Sequence, residues 1–276
     1  MQLYLRGPHC AGANEVLSMS IRVLGVIPSR YASSRFPGKA IHSIAGRPLV
    51  EHVYRRCLQT EILDEVVVAT DDERVAEVVR GFGGRVEMTS SAHTCGTERV
   101  AEVAARHDCE IVVNIQGDEP LIQPEMIQGA VHALIQDSEA SISTLSVSLS
   151  NPEQISDPNV VKVVVDCHGY AMYFSRCPIP FVRTDGGEGG TLPDYAKHVG
   201  LYVYRRDYLL RFVTIPPTPL ESAERLEQLR ALETGARIRV VRTGWDSIGV
   251  DTPDDARLVA MFLEQGSEAR NGIGGD

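Results

Sequence analysis

The sequence predicts an α/β fold with a mainly parallel central sheet and an inserted antiparallel segment. From Ile21 onward, short runs rich in valine and isoleucine alternate with amphipathic stretches, which is the pattern of repeated β-α-β units. After about residue 141 the pattern changes: SISTLSVSL alternates strictly, and VVKVVVD and YAMYF are separated only by a Cys-His-Gly turn. Such closely spaced runs are typical of antiparallel strands.

The first half of the chain contains alternating strand and helix signals. Four short β-branched runs predict buried strands at 22–27, 65–70, 85–88 and 110–115. Between them, apolar residues recur on one helical face over 48–59 and 72–82. Pro48 suits a first helical turn, and Gly83 with Gly84 suits a helix end.

The second half of the chain contains glycine-rich and proline-rich segments between its predicted strands and helices. The Gly-rich run 185–190 is interpreted as a flexible loop rather than a phosphate nest, because no strand leads into it and no helix follows at once. A strand at 198–204 precedes a helix at 207–213. A charged helix is predicted from Glu221 to Glu233, ending at Gly235, and a final strand and helix return through 237–264.

These patterns divide the chain into one core and one insertion. Residues 1–18 are expected to be a disordered leader or the product of an alternative start, because Met19 directly precedes the first strand-like segment. The core comprises 19–150, an inserted subdomain 151–220, and a return to the core 221–264. Residues 265–276 are expected to form a flexible tail.

Composition restricts the class of partner. A net charge of −10 disfavours nucleic acid and anionic membranes, so an anionic substrate has to meet concentrated local cations. The six cysteines form no C-x-x-C pair and read as reduced thiols. No apolar run approaches the ~20 residues of a membrane helix, and no secretory signal is present. A cytoplasmic protein is therefore expected.

The segment IPSRYASSRFPGK (27–39) carries three cations in a loop that follows the first strand. At the carboxyl end of a strand, Arg30, Arg35 and Lys39 could neutralise the oxygens of a triphosphate while glycine and serine let backbone N–H groups approach. The segment is not a Walker A loop, and the chain contains no G-x-G-x-x-G, which argues against a dinucleotide-dependent dehydrogenase. Without further context, a solvated basic loop is the alternative.

Two acidic residues are candidates for a metal site. Asp118 in QGDEP follows an all-apolar strand, beside a turn fixed by Gly117 and Pro120. Mg²⁺ takes one or two carboxylates together with phosphate oxygens and water, so a second acid is wanted. Asp251 in GVDTPDD is interpreted as ending the last short strand before a helix. Its alternative role is in the N-cap region of that helix.

Several motifs together resemble the 3-deoxy-D-manno-octulosonate (Kdo) cytidylyltransferase family over about residues 20–262. They are IPSRYASSRFPGK, VVVATDDERVAE, CGTERVAEV, VVNIQGDEPLI, DPNVVKVV, YFSR, KHVGLYVYRR, LEQLRALE and GVDTPDD. The resemblance implies a Rossmann-like nucleotidyltransferase fold, a nucleotide-binding core, and an insertion used for sugar binding and dimerisation. It implies transfer of CMP from CTP to the anomeric hydroxyl of Kdo, with Mg²⁺ as cofactor and release of pyrophosphate, for lipopolysaccharide core synthesis by a homodimer.

The resemblance also implies roles for individual residues. Asp118 and Asp251 bind the metal and act in catalysis with Lys39, while the cations of the loop stabilise pyrophosphate. Cys95 stands where the family usually has serine, which puts a hydroxyl hydrogen bond there in doubt. The nucleotide-binding residues implied are Arg30, Arg35, Lys39, His93, Gly96, Thr97 and Gln116. The sugar-binding residues implied are Arg176, His198, Tyr202, Glu227 and Gln228.

Alternatives to each of these roles remain open from the residues alone. His93, Thr97 and His198 could be surface or packing residues, and Glu227 with Gln228 could form the solvated face of an acidic helix. The sugar could be an 8-amino analogue of Kdo or another nonulosonic acid such as sialic acid, and the proton acceptor is open. A catalytically silent nucleotide sensor is a different class, against which Lys39, Asp118 and Asp251 argue.

Overall fold

A computed structural model describes residues 21–32, 36–183 and 195–271, with side chains described as far as residue 264. The strands are β1 (Val23–Pro28), β2 (Ser43–Ile44), β3 (Arg47–Pro48), β4 (Glu65–Thr70), β5 (Val86–Met88), β6 (Ile111–Asn114), β7 (Ile142–Leu149), β8 (Lys162–Val165), β9 (Ala171–Ser175), β10 (Tyr195–Arg205) and β11 (Ile238–Arg242). The helices are α1 (Leu49–Cys57), α2 (Glu73–Gly81), α3 (Gly96–Arg106), α4 (Pro124–Gln136), α5 (Pro152–Ser156), α6 (Arg206–Phe212), α7 (Pro219–Glu224), α8 (Gln228–Glu233) and α9 (Pro253–Asn271).

The central sheet has the strand order β11-β7-β10-β6-β1-β4-β5. Strands β6, β1, β4 and β5 are parallel neighbours, and β11 is parallel to β7. Strand β10 runs antiparallel between β6 and β7. The β8–β9 hairpin joins the sheet through Lys162, which pairs with Lys197 of β10. The predicted α/β fold with a mostly parallel sheet is confirmed.

Helices cover both faces of this sheet because its strands are apolar on both sides. Strands β1 and β4 read VLGVIP and EVVVAT, and nearly every residue of both is buried. Helices α1, α2 and α4 pack their apolar faces on one side, and α3, α6 and α8 pack on the other. Helix α9 forms a smaller cluster with Ile44, Leu49 and Val250. Two apolar layers thus hold the strand ends in fixed positions.

The predicted strands of the first half lie within one or two residues of β1, β4, β5 and β6, and the predicted helices correspond to α1 and α2. The predicted antiparallel hairpin after residue 160 is formed by β8 and β9. The predicted leader 1–18 and the Gly-rich loop 185–190 lie outside the described residues, as does the end of the predicted tail. Strand β10 falls within the predicted insertion 151–220, yet it is a central strand of the sheet.

Two local predictions were wrong. The helix expected from Glu221 to Glu233 is broken into α7 and α8, because Arg225 adopts a left-handed backbone conformation with φ of 52° and a helix cannot continue through it. The strand expected just before Asp251 is absent, since residues 243–250 have no ladder partner in the described part of the chain. Instead, Val250 N–H donates to the carbonyl of Asp118 at 2.8 Å.

Candidate active site

A cavity of about 330 Å³ opens at the carboxyl ends of β1 and β6, beside the first turn of α3. Ligands of open α/β sheets bind at this edge. The loop after β1, the turn after β6 and the segment before α9 all reach it. The lining residues are Pro28, Ser29, Arg30, Lys39, Ala40, His93, Cys95, Gly96, Arg99, Gln116, Gly117, Asp118 and Asp251.

Lys39 lies at the centre of the polar side of this cavity. Its ammonium donates to Asp118 Oδ2 at 2.7 Å and to Asp251 Oδ1 at 3.1 Å. The Lys39 side chain is 15% exposed, against 34% for Asp118 and 45% for Asp251. The two acids are 133 residues apart in sequence, so only the fold brings them to one cation. All three residues predicted to be catalytic are therefore adjacent.

Backbone geometry fixes these three side chains. Gly38, with φ of 71°, turns the chain into the one-turn 3-10 helix Lys39–Ile41, and its N–H donates to Tyr31 O at 3.0 Å. A Cβ at Gly117 would lie 2.7 Å from Ser29 Oγ and 2.9 Å from Pro28 O, so only glycine lets the β6 turn approach the β1 loop this closely. The hydrogen bond from Val250 to Asp118 then joins the Asp251 segment to that turn.

Asp251 does not cap the helix that follows it. Thr252 Oγ1 accepts from Asp255 N–H at 3.2 Å, while Asp255 Oδ2 accepts from the N–H groups of Asp251 and Thr252. This reciprocal pair satisfies the start of α9. The Asp251 carboxylate is directed to Lys39 instead, which supports a role at the cavity.

The other cations of the predicted triphosphate loop have different positions. Arg30 lines the cavity and is exposed. Arg35 lies outside the described residues. Ser29 is 4% exposed, lines the same cavity, and its Oγ has no hydrogen-bond partner in the described part of the chain. A buried unsatisfied hydroxyl of this kind suits a ligand that supplies the missing partner.

Arg99 was missed by the sequence analysis. Its side chain is 4% exposed, lines the cavity, and pairs with Asp71 Oδ2 at 3.0 Å, with a second hydrogen bond to Thr89 Oγ1. Asp71 and Arg99 both lie in motifs of the family resemblance: Asp71 follows β4 within VVVATDDERVAE, and Arg99 follows CGTE. An acid just after a buried strand and an arginine in the first turn of the neighbouring helix were the available signal.

The other residues predicted to bind the nucleotide lie on or behind one wall of the cavity. Gly96 is the first residue of α3, and Gln116 follows β6. His93 Nε2 lies 2.5 Å from Glu102 Oε2, so one ring nitrogen is already engaged. Thr97 is 3% exposed and donates to Glu227, as does the thiol of Cys95. His93, Gly96 and Gln116 line the cavity, whereas Thr97 lies behind its wall.

The predicted sugar residues do not form one cluster. The Arg176 guanidinium donates to three main-chain carbonyls, those of Glu224, Pro158 and Arg225. His198 is buried against Phe174 and Tyr202, lies 2.9 Å from Thr144 Oγ1, and burial lowers its pKa to about 3.

The surroundings of Tyr202, Glu227 and Gln228 differ from those of Arg176 and His198. Burial raises the pKa of Tyr202, and Glu227 raises it further. Gln228 is 6% exposed, and Glu227 reaches Thr97 and Cys95. A solvated acidic face is therefore wrong for this pair. Of the predicted sugar residues, Glu227 bonds directly to Cys95, which lines the cavity beside Lys39.

The donor set at Lys39 fits a divalent metal. Asp118 and Asp251 already share one cation, and Mg²⁺ takes one or two carboxylates plus phosphate oxygens and water. No larger His, Cys, Asp or Glu group suited to a metal is present among residues 21–32, 36–183 and 195–264. Beside Asp118, burial and the neighbouring carboxylate raise the pKa of Glu119 to about 7.

The fold and the site, with a lysine held between two acids at the carboxyl ends of the parallel strands, are those of a nucleotide-binding transferase. A family model described as cytidylyltransferase matches residues 24–238. The 3-deoxy-manno-octulosonate cytidylyltransferases of Geobacter sulfurreducens and Geobacter metallireducens are 55% and 56% identical over 251 and 252 residues, covering 88% and 89% of this chain and 100% and 99% of theirs.

A solved structure of CMP:2-keto-3-deoxy-manno-octonic acid synthetase complexed with CTP superposes with a TM-score of 0.83 at 40% identity, covering 89% of this chain and 99% of that one. The chain therefore belongs to the 3-deoxy-manno-octulosonate cytidylyltransferase family. No helix in the described ranges is long and apolar enough to cross a membrane.

Proposed function

We propose that this protein transfers CMP from CTP to the anomeric hydroxyl of 3-deoxy-D-manno-octulosonate and releases pyrophosphate. The observation that carries the proposal is the Lys39 ammonium held between Asp118 and Asp251 in the cavity. High identity to relatives with this named activity, along nearly their whole length, supports the choice of both substrates. Activation of Kdo for lipopolysaccharide core synthesis is the biological role that follows from this reaction.

The cations are proposed to position the triphosphate and neutralise its charge. Arg30 lies on the open side of the cavity and Lys39 on its inner side, so the phosphate chain would lie between them. Transfer of this kind depends mainly on alignment and on charge stabilisation. We infer that Lys39 turns from the acids to the phosphates once another cation neutralises Asp118 and Asp251. Arg35, in the same loop, is proposed to assist.

Asp118 and Asp251 are the residues proposed to hold Mg²⁺. When bound, the metal supplies Lewis-acid polarisation of the α-phosphate and lowers the pKa of the attacking hydroxyl. The two acids come from segments joined by the Val250 to Asp118 hydrogen bond, which supports their acting together. The nucleoside end of CTP is proposed to bind on the wall formed by the start of α3, where the residues proposed to contact it are His93, Gly96, Thr97 and Gln116.

The second half of the chain is proposed to bind the acidic sugar. Glu227 accepts from Thr97 at the start of α3, and Gln228 follows it. Tyr202 packs against His198, while the Arg176 guanidinium donates to main-chain carbonyls. Homodimer formation through the segment 151–220 and a cytoplasmic location are further proposals. Five free cysteines among the described residues agree with a reducing compartment.

The test is pyrophosphate release with CTP, Kdo and Mg²⁺. UTP replaces CTP in one control, and the 8-amino analogue of Kdo and sialic acid replace Kdo in two others. We expect turnover with CTP and Kdo to exceed each control by at least about tenfold, since a misplaced polar group costs on the order of 1–3 kcal/mol. Equal or faster turnover with another sugar would reassign the acceptor.

A further inference from the structure

Two hydrogen bonds join the start of α3, where nucleotide binding is proposed, to Glu227, which is proposed to bind the sugar. Glu227 Oε2 accepts from Thr97 Oγ1 at 2.6 Å, and Glu227 Oε1 accepts from the thiol of Cys95 at 3.1 Å. Cys95 and Thr97 begin α3, on the nucleotide wall, whereas Glu227 directly precedes α8 in the second half of the chain. Both carboxylate oxygens of Glu227 therefore hold the start of α3.

This contact is partly shielded from water. Thr97 is 3% exposed, and the Glu227 side chain is 30% exposed. Burial and the neighbouring Glu227 carboxylate raise the pKa of Cys95 to about 12, and the same two causes raise the pKa of Tyr204. A hydrogen bond to a charged group in such surroundings is stronger than one at the surface.

The contact continues toward the proposed metal site. Asn114 Nδ2 lies 3.4 Å from Thr97 Oγ1, and Gln116 Nε2 lies 3.5 Å from Asn114 Oδ1. Asn114 is 2% exposed, and Gln116 lines the nucleotide cavity two residues before Asp118. A chain of polar side chains thus runs from Glu227 to the floor of the nucleotide cavity.

A second cavity of about 530 Å³ lies on the other side of this contact. Glu227 lines the second cavity, Gln116 lines the first, and Cys95 lines both. The bonded pair of Cys95 and Glu227 therefore forms part of the partition between the two cavities.

We propose that the hydrogen bonds from Thr97 and Cys95 to Glu227 couple the nucleotide and sugar sites, so that each substrate lowers the apparent KM of the other. This inference rests on the proposed function. A nucleotide against Cys95 and Gly96 orders the start of α3 and, through Thr97, the Glu227 carboxylate. A carboxylate oxygen accepts more than one hydrogen bond, so sugar hydroxyls could bind Glu227 without displacing Thr97. Ordering by the first ligand then reduces the cost of binding the second.

The test is an initial-rate matrix in which CTP and Kdo are varied against each other. The quantity measured is the ratio of the KM for CTP at low Kdo to that at saturating Kdo. Reciprocal coupling between binding sites is commonly 5-fold or more, so we expect a ratio of about 5 to 10 in the wild type. Thr97→Val, which keeps the shape and removes the hydroxyl, should bring the ratio close to one. Thr97→Ser should restore it.

Thr60→Val is the matched control, because Thr60 is also a buried threonine but follows α1, which packs on the other face of the sheet from α3. It should leave the ratio unchanged, and thermal unfolding of each variant checks that the fold is kept. A wild-type ratio near one, or a Thr97→Val ratio equal to the wild type, would overturn the coupling. If the wild type instead fails to release pyrophosphate from CTP and Kdo, the proposed function fails rather than the coupling.

Discussion

Replacing Asp118 by asparagine should nearly abolish turnover and leave the fold intact. The change removes one negative charge and no volume, so it isolates the contribution of the carboxylate. In the structure Asp118 makes two kinds of contact: its carboxylate Oδ2 accepts from the Lys39 ammonium at 2.7 Å, and its backbone carbonyl accepts from Val250 N–H. The backbone contact survives the substitution.

The two consequences differ in magnitude. Asp118 is 34% exposed, so solvent screens its attraction to Lys39, and Lys39 keeps Asp251 at 3.1 Å. We therefore expect the free energy of unfolding to fall by about 1 kcal/mol or less. Loss of a catalytic metal ligand commonly removes several kcal/mol of transition-state stabilisation, on the order of 10³-fold in rate. Rate and stability should thus separate clearly.

The assay is pyrophosphate release at saturating CTP, Kdo and Mg²⁺, with chemical denaturation of the same preparations. Asp254→Asn is the matched control: Asp254 is three residues from Asp251, 81% exposed, and pairs with Arg257 in the first turn of α9. It should retain wild-type turnover. Activity of Asp118→Asn within about tenfold of the wild type would remove Asp118 from the metal site and refute the reasoning.

Three further outcomes are expected. Lys39→Ala and Arg30→Ala should each raise the KM for CTP. The effect should be stronger at ~0.01 M salt than near physiological ionic strength, because the Debye length falls from roughly 30 to 8 Å between them. If both variants keep the wild-type KM for CTP at every salt concentration, the loop is only a solvated basic loop. Arg176→Lys loses the planar guanidinium that reaches three carbonyls, so we expect the free energy of unfolding to fall by about 1–2 kcal/mol. The KM for Kdo should rise while the KM for CTP stays unchanged, and the reverse pattern would place Arg176 at the nucleotide site. His198 has a pKa of about 3 in the folded chain and 6.5 in the unfolded chain, so between these values the unfolded chain binds the extra proton. The free energy of unfolding should therefore fall as pH drops from about 6.5 toward 3, by up to about 1.4 kcal/mol per pH unit. His198→Gln should flatten this slope in urea titrations, and an unchanged slope would contradict the prediction.

The parallel half of the fold could be predicted because its signals are local. Strands buried on both faces are apolar throughout, as in EVVVAT, and helices between them have one apolar face. The α7–α8 break could not be predicted in this way. Nothing in the sequence near Arg225 signals a left-handed residue, and the carbonyls of Glu224 and Arg225 are fixed by Arg176, which is 48 and 49 residues away.

The candidate site was predictable in part for the same reason. Asp118 and Lys39 lie in motifs with a recognisable strand or loop context, whereas Arg99 and Ser29 gain their meaning only from burial beside the cavity. Asp251 was identified correctly as a neighbour of Asp118, but for a wrong local reason. The segment before it is irregular, and a single backbone hydrogen bond to Asp118, rather than a strand, sets its position.

The register of β10 explains how the second half of the chain reaches the nucleotide wall. Strand β10 pairs antiparallel with β6 so that Tyr202 lies opposite Asn114, two residues before Gln116. A shift of one residue would turn Tyr202 to the other face of the sheet and remove it from Glu227. The buried residues Leu201 and Val203 oppose such a shift, because it would move their side chains from the apolar layer under α1 and α4 into the layer under α3 and α6, where both layers would have to repack. Packing of the apolar core therefore also determines which side chains of β10 lie on the same side of the sheet as α3 and Glu227.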